Sequence, residues 1–213
     1  MGMIVERLVV GPFESNCWIL GCEKTRAGVV IDPGDDAERI LGVVNRHTLA
    51  LKYAILTHAH LDHIAAAAAI QVDTGAEVLI HKAEQLLLDN LSAQASLFGL
   101  PAPAAPTVNG YIKEGDKISF AGYTLSVIET PGHSPGGVSL KLEGSEKLLF
   151  TGDALFQGSI GRTDLMGGSY SQLIDSIREK LFPLDDETVI HPGHGESSTL
   201  GAEKRLNPFL REL

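Results

Sequence analysis

The chain has 213 residues, 44% of them hydrophobic, and a formal net charge of −10. That length suits one domain with a sizeable core, and the acid excess argues against a nucleic-acid partner, because phosphate backbones need clustered Lys and Arg. The longest apolar run, Ile64–Ile70, is too short to span a bilayer, and the start Met1-Gly2-Met3-Ile4-Val5-Glu6 lacks the basic and apolar regions of a signal peptide, so a cytoplasmic protein with no membrane partner is expected.

In chain order, Met3–Val10, Cys17–Gly21 and Gly28–Asp32 read as strands separated by turns. Cys17 and Cys22 are five apart, so an extended segment turns them to opposite faces and disfavours a mutual disulfide. Asp36–Thr48 reads as a helix with Ile40, Leu41 and Val44 on one face. Tyr53–Thr57 reads as a short buried strand, and Leu61–Asp73 as one alanine-rich helix stopped by Thr74-Gly75. Strand Glu77–His81 and helical Ala83–Leu91 follow. Gly99–Gly110 contains Pro101, Pro103 and Pro106 and is expected to be irregular. Strands are then expected near Lys117–Phe120, Thr124–Glu129, Gly137–Leu142 and Lys147–Thr151. Leu155–Ser169 reads as a long glycine-rich loop, followed by helix Tyr170–Leu181, strand Thr188–His191 and helix Ser198–Leu206. This mixture fits layered sheets covered by helices, and periodicity alone does not separate it from a doubly wound α/β fold.

The chemistry is concentrated at strand ends. In Thr57-His58-Ala59-His60-Leu61-Asp62-His63 the two outer histidines of His-Ala-His point the same way from an extended segment, and the turn into a helix re-aims Asp62 and His63 together. Burying four such side chains without a cation is costly, and imidazole and carboxylate are donors for Zn²⁺ and Fe²⁺ alike. Three more donors follow: His133 in Thr130-Pro131-Gly132-His133, Asp153 in Thr151-Gly152-Asp153, and His194 in Pro192-Gly193-His194-Gly195. A lone His-x-His could equally be a pair of surface histidines. Seven donors in this order are hard to read so blandly.

The ordered set His-x-His-x-Asp-His, Pro-Gly-His, Gly-Asp and Pro-Gly-His-Gly resembles the metallo-β-lactamase superfamily over nearly the whole chain. The resemblance implies an α/β fold, the αβ/βα four-layer sandwich of two mixed sheets flanked by helices, here as one domain over residues 1–213. It also implies a division of ligands: His58, His60 and His133 on one ion, Asp62, His63 and His194 on the other, and Asp153 bridging them. Two divalent ions are expected, zinc first, with iron or a mixed pair compatible, and Asp62 and Asp153 are the carboxylates expected at the chemistry. Two such ions can bring the pKa of a shared water to roughly 7 and so activate it at neutral pH. No serine or cysteine is taken as a nucleophile.

Asp32, in Ile31-Asp32-Pro33-Gly34, is either a turn residue or, as the resemblance implies, an outer partner that orients a ligand loop. Arg162 and Asp164, in the loop after Asp153, are expected to pin that loop to each other, with substrate contact as the alternative. His47, His81 and His191 are expected to be structural or solvated.

Within the superfamily the chain is similar to the short bacterial type II glyoxalases, through Gly11-Pro12-Phe13, Gly158-Ser159-Ile160-Gly161-Arg162-Thr163-Asp164 and Asn207-Pro208-Phe209-Leu210. That similarity implies hydrolysis of a small-molecule thioester, S-lactoylglutathione, to lactate and glutathione. The chain ends without the helical domain that carries much of the glutathione contact in longer members, so permissive binding is expected, with Arg162, Lys204 and Arg205 as the candidate cations. The rival readings are a mononuclear iron persulfide dioxygenase using His58, His133 and Asp153, a lactonase, and a non-catalytic binding module.

Overall fold

The computed structural model describes residues 2–211. Strand β1 (Met3–Val10) turns at Gly11–Glu14 and returns as β2 (Ser15–Cys22), which is buried along its whole length and pairs antiparallel with β3 (Ala27–Ile31). Helix α1 (Ala37–Arg46) crosses over and β4 (Ala50–Ile55) lies parallel to β3, with Ile31 opposite Ile55. Helices α2 (Leu61–Ile64) and α3 (Ala67–Thr74) lead to β5 (Glu77–His81), parallel to β4. A 3₁₀ turn over Lys82–Glu84, then α4 (Gln85–Asp89) and α5 (Leu91–Leu97), precede β6 (Val108–Ile112). The first sheet has the order β1-β2-β3-β4-β5-β6. Its core joins Ile19, Val30, Leu56 and Val78 to Ile40, Val44, Ile64, Ile70 and Leu87 of the helices.

The second sheet has the order β14-β13-β10-β9-β8-β7. Its strands are β7 (Lys117–Phe120), β8 (Tyr123–Glu129), β9 (Val138–Leu142), β10 (Leu148–Gly152), β13 (Val189–Pro192) and β14 (Ser198–Thr199). A small hairpin, β11 (Leu155–Phe156) with β12 (Ser159–Ile160), follows β10. Helix α6 (Tyr170–Ser176) continues as a π turn over Ile177–Leu181, and α7 (Leu200–Leu206) comes after β14. Leu173, Ile177 and Leu181 pack with Leu149, Ile190 and Leu200 into one core. Both sheets are mixed and flanked by helices, as expected.

The chain gathers into two compact units. The first holds the chain up to Tyr111 together with Ser119–Gly122, and the second holds Ile112–Ile118 and the chain from Tyr123 onward. Cys17 and Cys22 are free and buried. No helix among the described residues is long and apolar enough to cross a membrane.

Several element boundaries differ from the sequence expectation for identifiable reasons. The expected helix Leu61–Asp73 is broken at Ala65-Ala66. Unbroken helix would send the Ala66 N–H to the Asp62 carbonyl. That carbonyl instead accepts the Ser15 hydroxyl at 2.6 Å, and Ala66 N–H donates to the Pro33 carbonyl at 3.0 Å. The expected helix Ala83–Leu91 is likewise interrupted at Asn90 and extended by α5. The irregular stretch ends sooner than expected, because Asn109 Oδ1 accepts from Val78 N–H and Gln71 Nε2 and ties the start of β6 down. The loop after Asp153 carries the β11–β12 hairpin, and Ser198-Thr199 pairs with β13 before Thr199 caps α7.

Candidate metal centre

In the first unit the donors follow from parallel pairing. With Ile31 opposite Ile55, the residues that leave β3 and β4 emerge side by side, and Asp32 N–H donates to the Ile55 carbonyl at 3.0 Å. Asp32 is buried at 1% exposure, with φ of 50°. Its Oδ1 accepts Thr57 N–H at 2.7 Å and its Oδ2 accepts the Thr57 hydroxyl at 2.6 Å. The single hydroxyl proton is thereby used, so the 3.1 Å contact between Thr57 Oγ1 and His58 Nδ1 places the proton on the ring nitrogen. Asp32 Oδ2 also stands 3.2 Å from His63 Nδ1. Both rings are thus held in the tautomer that leaves Nε2 with its lone pair, the arrangement that an outer partner gives a metal-binding histidine.

Asp32, His58 and His63 have ligand-type atoms within 4.8 Å of one another, so geometry alone would allow Asp32 to share an ion. The tautomers argue otherwise, since Asp32 faces the protonated nitrogens. His63 Nε2 faces Asp62 Oδ2 at 3.4 Å, and the ring of His60 stands edge-on to His58 at 4.8 Å. Two donors about 2.1 Å from a shared ion at a tetrahedral angle stand roughly 3.4 Å apart. The His63–Asp62 separation fits that spacing.

The backbone of this loop is clamped from both sides by residues that no motif marks. Glu84, fully buried, accepts Ala59 N–H at 2.7 Å. Gln94 Oε1 accepts Leu61 N–H at 3.0 Å while its Nε2 donates to the Ala59 carbonyl at 3.0 Å. A methyl group at Gly34 would lie 1.8 Å from the Asp62 carbonyl oxygen, so only glycine permits this approach. Cys17 is a buried thiol whose pKa is pushed up, first by burial and then by Asp32.

In the second unit, β9 runs antiparallel to both β8 and β10, and β13 runs parallel to β10. Strands β8, β10 and β13 therefore point the same way, and the segments carrying His133, Asp153 and His194 leave one edge of this sheet. His133 Nδ1–H donates to the Arg162 carbonyl at 2.7 Å, which again leaves the lone pair on Nε2. Asp153 Oδ2 lies 3.5 Å from His133 Nε2 and 3.7 Å from His194 Nε2. These separations are too long for good hydrogen bonds and suit donors gathered around ions. One carboxylate facing two imidazoles is the placement expected of a bridge.

The pairing expected of Arg162 and Asp164 is present. Nε and Nη2 donate to the two carboxylate oxygens at 2.7 and 2.8 Å. This bidentate partner raises the pKa of Arg162 and lowers that of Asp164 to about 2. A depressed carboxylate contributes above its unfolded pKa and loses that contribution as pH falls through the folded value, so the loop pair stays ionised well below neutral pH. Lys204 is paired with Asp186 at 2.6 Å and also donates to the Leu184 carbonyl. Glu203, which no motif marks, accepts Gly158 N–H at 2.8 Å and Asn207 Nδ2 at 2.8 Å, joining α7 to the β11–β12 hairpin. His47 pairs with Glu6, His81 accepts Ala83 N–H, and His191 contacts Ser197, all structural roles.

Gly132-His133-Ser134-Pro135-Gly136 also spells Gly-x-Ser-x-Gly, the pattern of a nucleophile elbow, which bears on the expectation that no serine is the nucleophile. Ser134 is fully buried, its hydroxyl has no hydrogen-bond partner, and a turn rather than a helix follows it. It lacks both the exposure and the base a nucleophile needs.

Asp32→Asn is expected to weaken metal affinity ~10–100-fold, the usual effect of losing an outer partner, because an amide cannot accept from both Thr57 donors and the His63 ring. Competition with a chromogenic chelator measures it. Unchanged affinity with a lower Tm would reduce Asp32 to a turn residue.

Residues 10–194 match the model of the metallo-beta-lactamase superfamily. The chain is 40% identical over 210 residues to hydroxyacylglutathione hydrolase GloC of Haemophilus influenzae, covering 98% of each chain. Among solved structures, BLEG-1 B3 metallo-beta-lactamase aligns with a TM-score of 0.91 and 37% identity, covering 98% of this chain and 100% of that one. TTHA1623 in a di-iron-bound form aligns with a TM-score of 0.87 and 36% identity, covering 97% of this chain and 100% of that one.

Proposed function

This chain belongs to the metallo-beta-lactamase superfamily and is a metallo-hydrolase of it, and from that premise we propose that it hydrolyses the thioester S-lactoylglutathione to lactate and glutathione. The observation that carries the two-ion chemistry is the Asp153 carboxylate facing Nε2 of both His133 and His194. The similarity to GloC across both full lengths supports the thioester.

The donors fit divalent metal ions, since carboxylates and neutral imidazoles with fixed tautomers suit zinc and iron alike. By the family pattern His58, His60 and His133 would hold one ion and Asp62, His63 and His194 the other, with Asp153 shared. The di-iron form of a relative supports iron as an alternative to zinc. Bound there, two divalent ions supply activation of water at neutral pH and stabilisation of charge on the acyl oxygen.

The chain's own residues do the rest. Asp32, through Thr57, keeps Nδ1 of His58 protonated, and directly does the same for His63. The Arg162 carbonyl does so for His133. Asp62, with a side chain 20% exposed against 10% for Asp153, is the more accessible of the two carboxylates and would take up the proton of the attacking water. In the reaction the water oxygen bonds to the acyl carbon, the C–S bond breaks, and the sulfur leaves as a thiol with one proton.

The test is release of thiol and lactate from S-lactoylglutathione by the metal-loaded protein. A second reading, β-lactam hydrolysis, has the likeness to BLEG-1 in its favour, so a cephalosporin belongs on the same panel, together with oxygen uptake on glutathione persulfide. Ring opening or oxygen uptake without thiol release would replace the thioester reading.

A further inference from the structure

Beside Asp62, within the first unit, lies a groove of about 210 Å³. Its walls are the β1–β2 turn, with Val10, Pro12 and Phe13, and the proline-rich stretch at Leu100–Pro103; Leu61 and Asp62 close it. The turn is held in place. Gly11 N–H donates to Asp36 Oδ2 at 3.2 Å, Arg39 pairs with the same oxygen at 2.7 Å, and Arg39 also donates to the Val9 carbonyl at 3.0 Å. Phe13 is braced edge-on by Phe98, with ring centroids 5.0 Å apart.

Three properties limit what the groove can take. None of the described residues lining it is basic, while Asp35 and Asp62 are acidic, so the carboxylates of a glutathione tail are disfavoured. Its volume lies below the ~300–1,000 Å³ of sites for drug-sized ligands, so it takes a fragment rather than a whole conjugate. Apart from Ser15, Asp35 and Asp62, its side chains are aliphatic, aromatic and proline, and it ends at a carboxylate of the donor set. Two of the three cations expected to attract a carrier are also engaged elsewhere, Arg162 with Asp164 and Lys204 with Asp186.

We propose that this groove binds the acyl chain of the substrate, so that the enzyme selects thioesters by a short apolar acyl group rather than by the thiol carrier. The proposal rests on the thioester reading and narrows it. Leu100 and Phe13 are the specificity-determining residues. Each methylene buried in such a groove raises kcat/KM by about fourfold, until the groove is full.

The experiment measures kcat/KM of the metal-loaded protein on N-acetylcysteamine thioesters from acetyl to octanoyl, for wild type, Leu100→Trp and Phe13→Ala. Circular dichroism and Tm establish that each variant folds. Calorimetric binding of hexanoate against acetate gives a readout independent of turnover. Wild type is expected to favour hexanoyl over acetyl by about tenfold or more. Leu100→Trp, which fills the groove, should bring that ratio below about threefold, and Phe13→Ala should move the preferred chain one or two carbons longer. A flat profile in wild type overturns the assignment, as does a rise that both variants leave intact. Should no thioester turn over while hexanoate still binds about tenfold tighter than acetate in a Leu100-dependent manner, the groove stands and the thioester reading alone falls.

Discussion

Asp153→Ala is expected to cost at least about 10²–10³-fold in kcat, the scale for losing one electrostatic stabiliser of the transition state, and to lower bound metal below one ion per chain. Asp153 Oδ2 faces Nε2 of both His133 and His194. Its removal takes away an oxygen that faces both imidazoles. The fold should survive, because Asp153 follows the end of β10 and its backbone is held independently by hydrogen bonds such as Gly193 N–H to the Gly152 carbonyl at 2.8 Å. His58→Ala should behave alike, with metal lost and far-ultraviolet circular dichroism retained. Full metal occupancy in Asp153→Ala would remove Asp153 from the bridge.

The second large effect is expected from a residue with no side chain. A methyl at Gly161 would lie 1.9 Å from the Asp153 carbonyl oxygen and 3.1 Å from His133 Nδ1. Carbon and oxygen cannot approach so closely, so Gly161→Ala must push apart the two strands of chain that orient a carboxylate and an imidazole. Overpacking of this kind costs about 1–3 kcal/mol of stability. Here it also displaces the Arg162 carbonyl that fixes the His133 tautomer, so metal affinity should fall by about tenfold or more as well. Thermal unfolding and chelator competition on one preparation measure both. Unchanged affinity alongside lower stability would show that the loop after Asp153 does not position His133.

The donors were legible because each is spelled by a short motif at a strand end, where Gly-His, Gly-Asp and His-x-His leave few structural alternatives. Asp32 was legible only as one of two options, and the three contacts it makes to Thr57 and His63 exist only in the folded chain. What the sequence hid depends on contacts between distant residues. The break between α2 and α3 comes from Ser15, 47 residues away, taking the Asp62 carbonyl. Glu84 and Gln94 hold the backbone around His60 rather than any side chain, so no pattern of residue types announces them. Lys204 looked like a free cation in the sequence, and its acidic partner Asp186 becomes apparent only in the folded chain.

The central claim is a two-ion hydrolase. The most direct test is metal analysis of the protein during stepwise reconstitution of the metal-free chain, with thiol release from S-lactoylglutathione followed in the same samples. Two ions per chain are expected at saturation, with activity rising to its maximum as the second ion enters. Full activity at one ion per chain, or two ions bound with no thiol released, would contradict it.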